Sequence, residues 1–276
     1  MVNRSKRVAA IHDLSCFGRS SLTVVMPILA KMGIQVCPLP TALLSTHGAY
    51  KNGTYRDLTD DMTRIIHHWK ELQLEFDVIY SGFLGSGDQI DIVIDFADKF
   101  SKNSPLVVVD PVMGDEGKIY SIIDSSITKK MHKLVEIADI ITPNTTEAFS
   151  LLGREYTPIL SINDAKSVLR ELANLGPKIV VLTSILSPNN NIRYTGIYDK
   201  LNNEFYFDHC EYIPVDYPGT GDAFTSVFIG SILKGNSLKK SLSVSLNFIE
   251  SALKNTVNIK SDPNDGINIE FAQITL

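Results

Sequence analysis

Short runs of apolar residues alternate along the chain with segments whose apolar positions recur every three to four residues. Val8 to Ile11 reads as a buried strand ending at His12 and Asp13, and Gln35 to Leu39 as a second. Val78 to Tyr80 makes a third, and Leu106-Val107-Val108-Val109 a strongly apolar fourth that ends on Asp110 and Pro111. Between them, helical spacing predicts Ser20 to Met32, capped by Ser20 or Ser21 and closed by Gly33. Thr59 to Leu74 is a second helix, and another precedes the fourth strand. The second half keeps the rhythm. Helices are expected over Thr128 to Ala138, Thr145 to Leu152 and Ile162 to Leu175, with Gly153 and Gly176-Pro177 as stops. Asp139 to Ile141 and Ile179 to Leu182 read as strands. Tyr194 to Tyr198 and Glu204 to Phe207 form a hairpin about Asp199 to Asn203. Phe224, Val227, Phe228, Ile229, Ile232 and Leu233 share one face of a helix stopped by Gly235, and Ser237 to Leu253 gives the last helix.

Continuous apolar strands alternating with helices predict an α/β fold of three layers, α/β/α, in which a mainly parallel central sheet carries helices on both faces. No repeat, low-complexity tract or linker interrupts the pattern, so one domain over residues 1–276 is expected. A small lid formed by loops is expected at the 194–207 hairpin or after His47.

At 44% hydrophobic residues the chain has enough apolar material for a large core. A chain of this size buries about three quarters of its unfolded surface. The net charge of −5, without any basic run, argues against a nucleic-acid or anionic-membrane partner. It leaves a nucleotide open, because backbone donors and a metal ion can neutralise phosphates locally. Cys16, Cys37 and Cys210 are far apart and lack Cys-x-x-Cys spacing, so neither a zinc site nor a disulfide framework is suggested. Cys16 reads as a buried small hydrophobe. Met1 to Arg7 is charged and no signal-peptide core follows; no run approaches 18 apolar residues. A cytoplasmic enzyme acting on small molecules fits these bounds.

The chemistry concentrates where apolar segments end. Gly219-Thr220-Gly221-Asp222 opens the helix that carries Phe224. First-turn amides have no partner within a helix, and glycine lets the backbone approach an anion closely. Gly219, Thr220 and Gly221 are therefore an anion cradle, with Asp222 a candidate proton acceptor held ionised by the helix N-terminus. An ordinary first-turn acid is the alternative. In open parallel sheets ligands sit beyond the carboxyl ends of strands. His12, Asp13, Asp110, Thr142, Thr183 and Ser184 would gather there, and Asp222 would face the same rim. Asp110 and Asp115 could orient a metal ion near phosphates. Asn144 and Glu147 have capping-box spacing, and Glu147 could still reach a metal through water. Thr183 and Ser184 could contact a nucleotide or close a turn. His47 could meet a ring substrate or be an idle loop residue. Gly117-Lys118 lacks the glycine and the following hydroxyl of a Walker loop.

Asp110-Pro-Val-Met-Gly-Asp115, Thr142-Pro-Asn-Thr-Thr-Glu147, Thr183-Ser184 and Gly219-Thr-Gly-Asp222 together resemble the ribokinase superfamily, and within it the pyridoxal (vitamin B6) kinases, over nearly the whole length. The resemblance implies a ribokinase-like fold and ATP-dependent phosphorylation of the 5′-hydroxymethyl group of pyridoxal, pyridoxamine or pyridoxine. Asp222 would be the catalytic base, and Gly219, Thr220 and Gly221 the anion hole. Asp110, Asp115, Thr183 and Ser184 would meet ATP, with Thr142, Glu147 and Asp110 near the metal. Asp13, His47 and Gly48 would meet the vitamer. Mg²⁺ with ATP, K⁺ or Na⁺, and a homodimer are implied as well. The chain departs from the pattern at the acceptor end. Many pyridoxal kinases resemble it with Ser in place of Asp13 and His-Thr in place of His47-Gly48. Asp13 could pair with a protonated amine or ring nitrogen, as in pyridoxamine or a hydroxymethylpyrimidine. Hydroxymethylpyrimidine kinases usually carry Cys where this chain has Asp222, which favours the pyridoxal branch. The rivals are a hydroxymethylpyrimidine or sugar kinase, and a sensor that binds nucleotide or vitamer without turnover.

Overall fold

The apolar runs form strands and the periodic segments form helices, in the predicted order. The computed structural model describes residues 4–121, 123, 125–157, 159–188, 192–211, 213 and 215–276. The first three residues of the charged N-terminal segment lie outside them. In chain order the strands and α-helices are β1 (Arg7–Ser15), α1 (Leu22–Lys31), β2 (Gln35–Leu44), β3 (Tyr55–Asp57), α2 (Thr59–Glu71), β4 (Val78–Ser81), α3 (Gly87–Lys99), β5 (Leu106–Val109), β6 (Gly114–Asp115), β7 (Lys118–Ile119), α4 (Ser125–Glu136), β8 (Ile140–Ile141), α5 (Thr145–Leu151), α6 (Ile162–Ala173), β9 (Ile179–Leu186), β10 (Ile192–Asp199), β11 (Glu204–Glu211), α7 (Thr220–Leu233) and α8 (Leu238–Asn258). They fall into two units, residues 1–77 with 213–276, and residues 78–212.

In the first unit β1 runs parallel to β2, and β3 pairs antiparallel with Ala42 to Leu44. Val8 to Ile11 is wholly buried, as a strand covered on both faces must be. Both long strands outrun their predicted ends. His12 and Asp13 lie inside β1, where the register with β2 shifts between His12 and Leu14. β2 continues through Pro38 and Pro40. Two prolines two residues apart place their missing donors on one edge, away from β1, where β3 has not yet begun to pair. Helix α7 differs from expectation in its burial. Every residue from Ala223 to Ser231 is buried, not a single stripe, because α1 and α8 both pack against it.

In the second unit β4, β5, β8 and β9 are parallel neighbours, and β10 and β11 extend the sheet antiparallel. Parallel pairing therefore dominates the interior of the sheet, with helices between its strands, as the α/β expectation requires. The 194–207 hairpin is a paired part of this sheet, and Phe205 is covered by the Arg170 guanidinium at 4.7 Å and by the Tyr198 ring at 4.5 Å. Thr183 and Ser184 do not end their strand. Leu182 pairs with Gly196 and Ile185 with Tyr194, so one strand carries an extra residue there, and Ser184 takes φ 58. This is a bulge, a device that re-aims side chains next to functional sites. The stretch after Asp110 is likewise more ordered than a loop. β6 and β7 form a hairpin about Glu116 and Gly117, both at positive φ, the usual two-residue turn. Among the described residues no helix is long and apolar enough to cross a membrane.

Candidate active site

The start of α7 is shaped by two constraints on Gly219. Its φ is 81, and a Cβ there would stand 2.4 Å from the Arg19 carbonyl oxygen. Only glycine fits both. The first intrahelical bond runs from the Ala223 amide to the Gly219 carbonyl at 2.9 Å. The amides of Thr220, Gly221 and Asp222 precede it, where a helix offers no acceptor of its own. The Thr220 hydroxyl donates to the Tyr217 carbonyl at 2.7 Å, which fixes the turn. The Arg19 carbonyl is also crowded by Gly266, whose Cβ would come within 2.6 Å. Arg19 donates its amide to the Asp265 carbonyl at 2.9 Å, and Ile267 donates to the Pro218 carbonyl at 3.0 Å. Three distant stretches of chain are thus tied together at this point.

Asp222 keeps 14% of its side-chain exposure. Its Oδ2 accepts from the Ser21 amide at 2.7 Å. Its Oδ1 lies 3.7 Å from His12 Nδ1. That contact is not an ion pair at neutral pH, since complete burial pushes the His12 imidazole down to about 3. The expectation that the helix N-terminus keeps Asp222 ionised is overturned. Burial, helped by the charge of Asp13 and opposed by the Ser21 amide, pushes the Asp222 carboxyl up to about 7. The magnitudes explain the sign. A helix terminus contributes about 0.3–1 kcal/mol, less than one pKa unit, whereas burial can move a carboxyl by about 3–5 units.

Asp13 is buried beside it, its Oδ1 accepting from the Ser21 hydroxyl and its Oδ2 from the Ser15 hydroxyl at 3.0 Å. Burial raises its pKa, and the two serines and His47 restrain the rise. Ser20 or Ser21 was expected to cap α1. Ser21 occupies the cap position, but its hydroxyl is engaged by Asp13 and makes no cap bond. Its backbone sits at φ 53 and ψ −129, a glycine conformation that costs a serine roughly 1–3 kcal/mol. This role was not legible from the sequence, since a serine before an apolar run reads first as a cap.

His47 is buried, with its ring against Gly18, where a Cβ would lie 2.4 Å from the imidazole. Its Nδ1 accepts from the Ala49 amide at 3.3 Å, and burial lowers its pKa. Tyr50 stacks at a tilt 5.3 Å away and donates its hydroxyl to Asp265 at 2.6 Å. Gly48 faces open space. Cys16 is exposed, contrary to expectation. It follows the last residue of β1 and precedes Phe17, itself 56% exposed, so the chain has already left the core there.

In the second unit Asp110 follows β5, Thr142 follows β8, and Thr183 and Ser184 form the bulge of β9, so these residues line the carboxyl ends of three adjacent strands. The Asn144–Glu147 capping box is present. Glu147 donates its amide to Asn144 Oδ1 at 2.9 Å and accepts the Asn144 amide at Oε2 at 2.9 Å. Its Oε1 accepts from Met113 at 3.1 Å. Burial, and next the charge of Asp110, raise the Glu147 pKa well above the usual carboxylate range. Asn144 also donates to the Gly114 carbonyl at 2.8 Å, fixing the hairpin that carries exposed Asp115. Among the described residues no group of three or more His, Cys, Asp or Glu is gathered for a metal ion. The donor chemistry nevertheless suits Mg²⁺, which takes few protein oxygens and keeps its waters. A cation would also relieve two crowded acids. Each Glu147 oxygen accepts one amide hydrogen bond.

The sequence profile described as phosphomethylpyrimidine kinase matches residues 61–266. The chain belongs to this family. Its relatives span the vitamin kinases. A Bacteroides thetaiotaomicron protein designated a phosphomethylpyrimidine kinase is 44% identical, with a TM-score of 0.94 over 97% of this chain and 94% of its own in a crystal form with pyridoxal. The pyridoxal kinase of Lactobacillus plantarum is 28% identical, with a TM-score of 0.86 over 96% and 94% of the two chains. The hydroxymethylpyrimidine/phosphomethylpyrimidine kinase of Bacillus subtilis is 29% identical over 92% of this chain and 84% of its own. Membership accounts for the ribokinase-like fold and makes the protein a kinase.

Proposed function

We propose that this kinase transfers the γ-phosphoryl group of ATP to the 5′-hydroxymethyl group of a vitamin B6 vitamer. The observation that carries the reading is the Asp222 carboxyl, placed on the first turn of α7 and pushed up to about 7 by burial. A base is most effective when its pKa lies near the working pH, so partial protonation at neutrality suits the role. Phosphoryl transfer demands positioning and charge stabilisation above all. The Thr220, Gly221 and Asp222 amides would hold the oxygens of the migrating group, and Gly219 permits their approach. Asp222 would accept the hydroxyl proton as the oxygen bonds to phosphorus. Asp13 would meet a cationic amine or ring nitrogen, with His47 and Gly48 bordering the ring. Asp110, Asp115, Thr183 and Ser184 would hold ATP. Asp110 and Thr142, with Glu147 through water, would hold Mg²⁺, which neutralises phosphate charge when bound. K⁺ or Na⁺, a homodimer and a cytoplasmic setting complete the reading.

A second reading, hydroxymethylpyrimidine phosphorylation, is favoured by the family description and the Bacillus subtilis relative. Turnover with ATP and, in turn, pyridoxal, pyridoxamine, pyridoxine and hydroxymethylpyrimidine separates the two. We expect the highest kcat/KM with a B6 vitamer. A clear preference for the pyrimidine would replace the first reading by the second, and no ATP consumption with any acceptor would point to a sensor.

A further inference from the structure

Ser21 touches both acids of the first unit, and it does so from a conformation that serine avoids. Its amide donates to Asp222 Oδ2 at 2.7 Å and its hydroxyl donates to Asp13 Oδ1, at φ 53 and ψ −129. Those angles belong to the first central residue of a type II′ turn, where glycine is the usual occupant. A side chain persists there only when its surroundings over-determine it. Rotation about N–Cα moves the amide and the Cβ relative to one another. With the amide held by Asp222 and the hydroxyl by Asp13, that rotation is blocked at both ends. On the helix side the Ser21 carbonyl accepts from the Val24 and Val25 amides, each at 2.9 Å. Were the hydroxyl released, the residue could relax toward negative φ and its amide would leave Asp222.

We propose that Ser21 is a positioning residue for phosphoryl transfer: pinned to Asp13 through its hydroxyl, its strained backbone holds an amide on Asp222 and so aims the base. The proposal rests on Asp222 being that base. The charged and titratable groups that act on these two acids are His12 beside Asp222, Asp13 and Asp222 on each other, His47 and Tyr55 on Asp13, and, one step further out, Asp265 on His47.

Two substitutions that remove the same hydroxyl separate backbone aim from side-chain chemistry. Ser21→Ala still carries a Cβ, which these angles disfavour, but loses the anchor that holds it there, so the residue should relax and lose kcat by at least about tenfold, since small misplacements of a reacting group are costly. Ser21→Gly adopts the same angles freely and should recover most of that loss. The acid limb of kcat/KM supplies a readout that simple destabilisation would leave in place. Losing the amide should move it to higher pH in Ser21→Ala and leave it near the wild-type position in Ser21→Gly. Asp13→Asn keeps an acceptor for the hydroxyl but removes a negative charge, so its acid limb should move the opposite way, to lower pH. It remains informative if Ser21→Ala folds poorly. Equal impairment of the alanine and glycine variants, wild-type turnover in Ser21→Ala, or an upward shift in Asp13→Asn would overturn the proposal. Normal turnover in Asp222→Ala would instead remove the base assignment itself, whatever the Ser21 variants show.

Discussion

At the scale of single residues, what decides the chemistry is how a carboxyl is surrounded. An unfolded aspartate ionises near 3.8, whereas Asp222 in the native protein titrates at about 7. Between those values the folded state keeps a proton that the unfolded chain has released, so stability falls as pH rises from about 4 to about 7 and stays lower above that. Asp222→Asn cannot ionise. Thermal melts at pH 8 should find it more stable than wild type by roughly 1–3 kcal/mol, with the gain vanishing near pH 4. Equal stability at both pH values would mean that Asp222 is well solvated. The same titration should place the acid limb of wild-type activity near 7, because the base must first lose its proton. Asp222 was legible as a candidate from its two preceding glycines. Its elevated pKa was not, since it comes first from burial in the folded chain and then from the charge of Asp13, which is remote in sequence.

At the scale of elements, apolar runs revealed which segments are strands but not where they stop. β9 continues past its apolar stretch because a bulge keeps Thr183 and Ser184 in the sheet, and β1 continues past His12 where β2 beside it carries an extra residue. A polar residue after an apolar run looks the same whether the strand ends or bulges. The capping box of α5 was readable because both partners lie within four residues. The true engagement of Ser21 was not, because its partners lie on β1 and α7. Helix α7 also shows which glycine is indispensable. Gly219→Ala adds a Cβ at φ 81 and 2.4 Å from a main-chain oxygen, with no flexible side chain to give way. Its Tm and kcat should both drop, the strain alone costing roughly 1–3 kcal/mol. Gly48→Ala enters open space and should melt close to wild type. A reversed order of the two melting temperatures would contradict this account of the cradle.

For the whole molecule, the alternation of strands and helices was enough to reach the α/β class, because apolar periodicity is a local signal repeated along the entire chain. The four motif segments were enough to reach the superfamily. The pairing order of β4, β5, β8 and β9 depends on contacts between distant segments, which no local pattern carries. Choice of acceptor is likewise a property of few residues. Asp13 and Gly48 differ from the pattern of many pyridoxal kinases, while Gly219-Thr220-Gly221-Asp222 keeps to it. The central claim, that the Asp222 carboxylate takes the proton from the acceptor hydroxyl, is tested most directly by steady-state kinetics of Asp222→Ala with ATP and the preferred vitamer. The account predicts kcat lower by at least about 10²-fold with the KM for ATP little changed. Turnover close to wild type in a folded Asp222→Ala protein would contradict it.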